Sequence, residues 1–282
     1  MTRTQANRHF YDYWAKRTRA RISDPVKRDI LVPLEPLHPF AGKRPSLEQD
    51  YYEQMDKDHV KLINLKEVSV TKVVPEGIVT SDGVTHELDI LALATGFDSL
   101  TGGFSDIDFT GVNGQKLKDK WDGPRGAMSY LGMTVNNFPN MFYTYGPHSP
   151  TAYANGPSIN EVQIEWIVDL SKRMRDEGHT KINAQKAAEE EWKQMINDTH
   201  AMTLRDKVDS WYMGSNIPGK PRQALNYSAG VPMYKKTIWE VTDEGLKGFD
   251  LDRRAEGKEM KHGVTMAQET KEEIAEHGAA PR

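Results

Sequence analysis

Residues 39–52 read PFAGKRPSLEQDYY. Lys43 and Arg44 stand side by side between Gly42 and Pro45. A glycine and a proline at those positions exclude a helix interior or a central strand. The two cations therefore sit on a loop that Pro45 stiffens. Such a pair is either a solvated basic turn or the contact for a large anion. Three further stretches have residue types that could meet one. Ala94-Thr95-Gly96-Phe97-Asp98 follows an apolar run, and α/β sheets place ligands where a strand end opens onto a glycine. Tyr145-Gly146-Pro147-His148-Ser149-Pro150 leads through Asn155 and Gly156 into a helical pattern. A helix N-terminus after a Gly/Pro loop can receive an anion, although an ordinary strand-loop-helix crossover reads the same way. The fourth stretch, SWYMGSNIPGKP from Ser210, is a Gly/Pro-rich loop opened by Trp211. Its indole either packs or offers an N–H donor beside a flat ligand.

Other chemistries are excluded. The chain has 282 residues, no cysteine and a net charge of −4. Thiolate nucleophiles, disulfides and cysteine metal sites are ruled out, and no basic field points to nucleic acid. The nine histidines are scattered and share no helix face, so no metal site is expected. There is no G-x-G-x-x-G, P-loop, H-E-x-x-H or G-x-S-x-G. No apolar run approaches the roughly 20 residues that cross a bilayer, and MTRTQANRHF is no signal peptide. A cytoplasmic protein without membrane contact is expected.

The elements that must position these stretches follow from pattern. Residues 5–22 predict a helix with Phe10 and Trp14 on one face, ending before Asp24-Pro25. Its dense aromatics suit a partner surface or packing on its own domain. Residues 28–50 read as proline-punctuated loop. Residues 59–65, 68–73, 78–81 and 86–94 read as short strands with turns at Pro75-Glu76-Gly77 and Asp82-Gly83. The last continues as LDILALATGF, a buried strand of a parallel sheet by its unbroken apolar character. Residues 99–139 read as loop with small strands, and residues 140–146, NMFYTYG, as another buried strand. Residues 158–175 give the clearest helix. Ser158 and Glu161 form a capping box, and Ile159, Val162, Trp166, Ile167, Leu170 and Met174 form its apolar stripe. A second helix is expected from about residue 184 to about residue 207. The charged residues from Arg253 onward read as a disordered tail or loose helix. Strands alternating with helices predict an α/β fold, with an incomplete sheet that lacks an opening strand–glycine loop–helix unit.

Taken together, GKRPSLEQDYYE, LDILALATGFD, KDKWDGPR with YLGMTVNNFPNMF, GPHSPTAYANGPS and SWYMGSNIPGKPR resemble the flavin-dependent Baeyer–Villiger monooxygenases, in family order and spacing, over roughly residues 5–250. The family's glycine motifs for FAD and NADPH and its F-x-G…H-x-x-x-W-P fingerprint are not in this sequence. The resemblance therefore implies a partial two-dinucleotide-binding-domain flavoprotein fold without those units. It divides the chain into the end of a helical insertion (1–41), the remainder of an NADPH-binding domain (42–90), the C-terminal part of an FAD-binding domain (91–252) and the charged tail (253–282).

Site roles carry over by motif. Arg44 matches the catalytic arginine that stabilises a negatively charged peroxyflavin, which attacks a ketone. A guanidinium suits that role because it stays charged and keeps its protons. Lys43 matches the lysine that meets the NADPH 2′-phosphate. Trp211 matches a tryptophan in contact with the nicotinamide nucleotide. Thr95 and Gly96 match the return into the FAD domain. Asn155 and Gly156 match the segment against the flavin, where a helix N-terminus favours negative charge. The resemblance implies FAD and NADPH as cofactors, and O2 and a small ketone as substrates. Two alternatives stand beside it: a catalytically incompetent chain or split half that needs an N-terminal partner chain, and a related enzyme that oxygenates nitrogen or sulfur. A split half would carry exposed aromatics around Phe10 and Trp14.

Overall fold

The computed structural model describes residues 3–152 and 154–253. Expectations for the charged tail beyond Arg253 fall outside the described residues. Helix α1 (Arg3–Arg19) buries Tyr11, Ala15 and Thr18. This face is turned one residue from the expected Phe10 and Trp14 face. Phe10 is 65% exposed, whereas Trp14 is half-buried against the rings of Tyr11 and Phe40. Asp24-Pro25 begins a helix as well as following one. The Asp24 carboxylate accepts from the Val26 and Lys27 N–H groups at 2.8 and 3.1 Å. Pro25 then opens α2 (Pro25–Leu31), where a missing N–H costs nothing. The expected loop from residue 28 is thus helical through Leu31. Helix α3 (Tyr51–Met55) closes this lobe.

Strands β1 (Val70–Val74), β2 (Gly77–Thr80) and β3 (Thr85–Glu87) form an antiparallel meander through the two turns read from the sequence. Three other expected strands are absent. Residues 59–65 are irregular, as are residues 88–97 and 140–146, and every strand pairing among the described residues is antiparallel. The reasons are local and physical. Residues 89–96 make no backbone–backbone hydrogen bond among the described residues. An extended run is a strand only when a neighbour supplies those bonds. Ile90, Leu93 and Phe97 are consequently 84%, 79% and 86% exposed. In NMFYTYG, Asn140 and Tyr145 take φ of 58° and 57°, left-handed values that break a strand at both ends. Its bonds go to separate places, with Tyr143 N–H on Met133 O and Tyr145 N–H on the Gln163 side chain.

The main core forms around α6 (Gly156–Asp176), which buries Ile159, Gln163, Trp166 and Leu170. Val162, Ile167 and Met174 pack beside them, so the predicted stripe faces the core. The cap differs from the expected box. Asn155 is the N-cap and accepts from the Ser158 N–H at 3.4 Å. Ser158 itself lies inside the first turn. The Trp166 indole donates to Ile238 O and Thr242 Oγ1, both at 2.8 Å, tying α6 to α8 (Val231–Asp243). Strand β4 (His179–Ala184) pairs antiparallel with β5 (Phe249–Arg253). Between them in sequence runs α7 (Lys186–Ala201). Residue 184, the expected start of that helix, ends β4 instead, and the helix stops short of a separate turn at Arg205–Lys207. Residues 99–139 hold two short helices, α4 (Gly102–Ser105) and α5 (Leu117–Asp122). A second core of Leu117, Trp121, Val135, Phe138 and Tyr143 lies there.

One buried group makes this framework pH-sensitive. His148 is fully buried and has φ 67°. It is fixed by its N–H on Leu225 O at 2.8 Å and by ring Nδ1 against Ser129 Oγ at 3.1 Å. Burial, and next Lys193, push its pKa down to about 3. The unfolded chain protonates this ring near pH 6.5, so it binds the proton that the folded chain refuses. Stability is therefore complete above pH 6.5 and falls as pH drops toward 3, by up to about 1.4 kcal/mol per pH unit. Urea titrations at pH 7.5 and 5.0 should show a lower midpoint at pH 5.0. A His148→Gln variant should lose part of that difference.

Candidate functional site

The four stretches singled out in the sequence converge on the loop that carries Trp211. Gly42 allows the first contact. A Cβ there would lie 2.6 Å from a Val208 methyl and 2.8 Å from Pro39 O, so only glycine lets the loop of Lys43 and Arg44 rest on Val208. Both cations are exposed and have no hydrogen bond or ion pair with any described residue. Burial raises the pKa of the Tyr212 phenol, and the charges of Arg205 and then Arg44 oppose that rise. Tyr212 in turn packs on Trp211, with ring centroids 4.2 Å apart. Trp211–Met213 is one 3-10 turn, ended by Gly214 at φ 65°.

Asn226, which no sequence motif marks, links this loop to Thr151 and Ala152, ahead of α6. It is fully buried. Its Oδ1 accepts from Ala152 N–H at 3.1 Å and from the Thr151 hydroxyl, and its Nδ2 donates to Tyr212 O at 3.3 Å. Residues 223–227 run between the two loops. Gln223 and Leu225 N–H bond to Met213 and Tyr212 carbonyls, and Tyr227 N–H bonds to Ser149 O. Asn155 and Gly156 therefore sit one short loop away from a polar hub that also holds Tyr212. The clue was a single amide in the run ALNY, since a polar residue among apolar ones must find buried partners.

The fourth stretch joins from the other side. Asn216 Nδ2 donates to Phe97 O at 2.9 Å, and Lys220 forms an ion pair with Asp98. Thr95 and Gly96 are exposed beside these anchors. Gly96 has φ 97°, and a Cβ there would meet nothing within 4 Å. Its backbone faces open space that a bound group can approach closely.

On the α1 side, Lys43 and Arg44 border a cavity of about 720 Å³ whose wall includes Tyr11, Trp14, Phe40 and Tyr52. Two unpaired cations beside an aromatic wall fit a large, flat, anionic ligand such as a dinucleotide, while Thr95, Gly96 and Trp211 lie outside the lining of this cavity. No group of three or more His, Cys, Asp or Glu among the described residues could hold a metal ion. Nor, among the described residues, is any helix long and apolar enough to cross a membrane.

No family model matches the chain. Cyclopentanone 1,2-monooxygenase of Comamonas sp. is 41% identical over 247 residues, which is 88% of this chain and 44% of that protein. Among solved structures, cyclohexanone monooxygenase from Rhodococcus sp. Phi1 bound to NADP+ superposes with TM-score 0.82 at 36% identity, over 89% of this chain and 46% of that one. The OTEMO complex with FAD and NADP gives TM-score 0.81 at 33% identity, over 88% and 45%. By fold the chain is part of an α/β flavoprotein of the two-dinucleotide type. By sequence it matches the C-terminal half of Baeyer–Villiger monooxygenases. The chain spans a little under half the length of the relatives it matches.

Proposed function

We propose that this chain supplies the cation-bearing half of an FAD- and NADPH-dependent Baeyer–Villiger monooxygenase. Such an enzyme inserts one oxygen atom of O2 next to a ketone carbonyl and yields an ester or lactone. The observation that carries this reading is the convergence of unpaired Lys43 and Arg44 on the Trp211 loop, which is itself tied to residues 95–98 and to the start of α6.

The flavin, when bound, supplies the oxygen-activating chemistry. This chain supplies charge and position. Arg44 is the catalytic residue, a permanent cation aimed at negative charge that develops on the reacting oxygen. Lys43 offers a compact charge to the NADPH 2′-phosphate. The Trp211 indole N–H has no partner among the described residues and is free to donate to the nicotinamide nucleotide. Thr95 and Gly96 give the flavin side a close backbone approach. Asn155 and Gly156, at the N-terminus of α6, would favour negative charge on a flavin held there.

The remaining half of the site lies in a glycine-motif unit, in the same polypeptide or in a partner chain. Residues 89–96 are the surface it covers, because their exposed apolar side chains and unbonded backbone call for flanking strands. The division into helical insertion (1–41), NADPH-domain remainder (42–90) and FAD-domain remainder (91–252) belongs to the same reading. So does a cytoplasmic setting, where NADPH is at hand.

Produced as the 282-residue chain, the protein should bind FAD weakly and purify without colour. Stoichiometric flavin in that preparation would refute the assignment of the main cofactor cradle to another unit. Co-produced with the glycine-motif half of a matched relative, it should become yellow and convert a ketone from a cyclic and linear panel to its ester. Bound flavin with NADPH oxidation but no ester from any ketone overturns the reading. Oxygenated amines or sulfides in place of esters would indicate the nitrogen- or sulfur-oxygenating alternative.

A further inference from the structure

Residues 214–220 form the far side of the Trp211 loop, and their hydrogen bonding is local with two exceptions. Ser215 N–H and Oγ bond to Ser210 O, and Lys220 N–H bonds to Ile217 O. The exceptions both reach across to residues 97–101. Asn216 Nδ2 donates to Phe97 O at 2.9 Å. Lys220 Nζ donates to both carboxylate oxygens of Asp98 and to Thr101 Oγ1, so all three of its N–H groups are used. The side chains of Lys220 and Asp98 are 18% and 35% exposed. They are more shielded than an ordinary surface pair, and the bonds are charge-assisted.

The Asp98 carboxylate is seated by a close backbone approach. A Cβ at Gly102 would stand 2.6 Å from Asp98 Cβ and 2.9 Å from its Oδ2. The φ of Gly102 is not left-handed, so alanine is conformationally allowed there. What it would displace is the carboxylate. Nothing in the core requires this arrangement. Tyr212 and Met213 are already fixed by Leu225 and Gln223.

We propose that Asp98 and Lys220 are a latch. They hold the outer half of the Trp211 loop against residues 95–98 and so keep Trp211 in register with the open backbone at Gly96. Both are positioning residues. The consequence for catalysis rests on the reading of Trp211 as a cofactor contact, whereas the latch itself rests on geometry alone.

Hydrogen exchange of the chain, read by mass spectrometry, separates the two. Lys220→Met keeps the length of the side chain and removes its charge. It should speed exchange of the amides of Gly214, Ser215 and Lys220 about tenfold or more and leave α6 unchanged. Gly102→Ala should act on the same amides from the opposite side, without touching the loop. Lys220→Arg, which keeps a donor cation, should retain most of the protection. Unchanged exchange in both Lys220→Met and Gly102→Ala overturns the latch, as does acceleration spread equally into α6. In the reassembled holoenzyme, Lys220→Met should raise the KM for NADPH about tenfold with a smaller change in kcat, and Lys220→Arg should reverse most of that rise. A wild-type assembly that forms no ester sinks the monooxygenase reading while the exchange data still decide the latch.

Discussion

Arg44→Ala in the assembled, flavin-loaded enzyme is expected to cut ester formation by about a hundredfold to a thousandfold, the usual loss when one preorganised charge stabiliser is removed. NADPH oxidation should continue, because Arg44 is assigned to the oxygenation step and Lys43 to the nucleotide. The uncoupled turnover would release hydrogen peroxide, which a peroxidase assay detects. Arg44 is suited to this assignment because no described residue neutralises it. An arginine already paired with a carboxylate would have little field left to offer. Arg44→Lys should recover only part of the ester yield, since an ammonium is a point charge without the planar fork of donors. Lys43→Ala should show the complementary pattern, a higher KM for NADPH with ester formed per NADPH little changed. Wild-type ester yields from Arg44→Ala would remove the arginine from the mechanism.

The family resemblance was legible because short motifs survive without their tertiary context. The apolar stripe of α6 also needed no context, since its period alone fixes which face is buried. Its cap was misread because Ser158 with Glu161 and Asn155 are both plausible caps. Pro157 then favours the earlier one, with the helix already begun at Gly156. LDILALATGF failed as a strand for a different reason. Its composition states that it should be buried between strands, but hydrogen-bonded neighbours are a property of the assembly and not of the segment. Asn226 and the Asp98–Lys220 pair were invisible for a third reason. Their meaning is a contact across 74 and 122 positions of sequence, and no local pattern encodes such a separation.

The largest stability effect is expected at Lys120 and Glu189, which also have a distant connection to the site. Lys120 Nζ donates to the two Glu189 oxygens at 3.0 and 2.9 Å and to Asn136 O at 2.8 Å. Asn136 N–H donates back to Glu189 at 2.6 Å. The two side chains are only 5% and 2% exposed. Burial lowers the Lys120 pKa even though Glu189 opposes the shift, which shows how strongly the site disfavours an unbalanced charge. Lys120→Met strands the Glu189 carboxylate in the interior, and Glu189→Leu strands the ammonium. Each should cost about 3–5 kcal/mol, a fall of roughly 6–20 °C in Tm for a chain of this size. Lys120→Met with Glu189→Leu removes both charges and leaves the Asn136 N–H without its acceptor and the Asn136 carbonyl without its Lys120 donor. The double variant should therefore melt above either single variant. Circular dichroism melts of the three proteins test this, and single variants that melt with the wild type would show the pair to be solvated. The pair joins α5 to α7, and α7 carries Trp192, whose indole N–H donates to His148 O at 3.3 Å. His148 N–H holds Leu225, the neighbour of Asn226. Loss of the pair should thus loosen the backing of the Trp211 loop well before the chain unfolds, and exchange at Leu225 should rise in the single variants at temperatures where α6 remains protected.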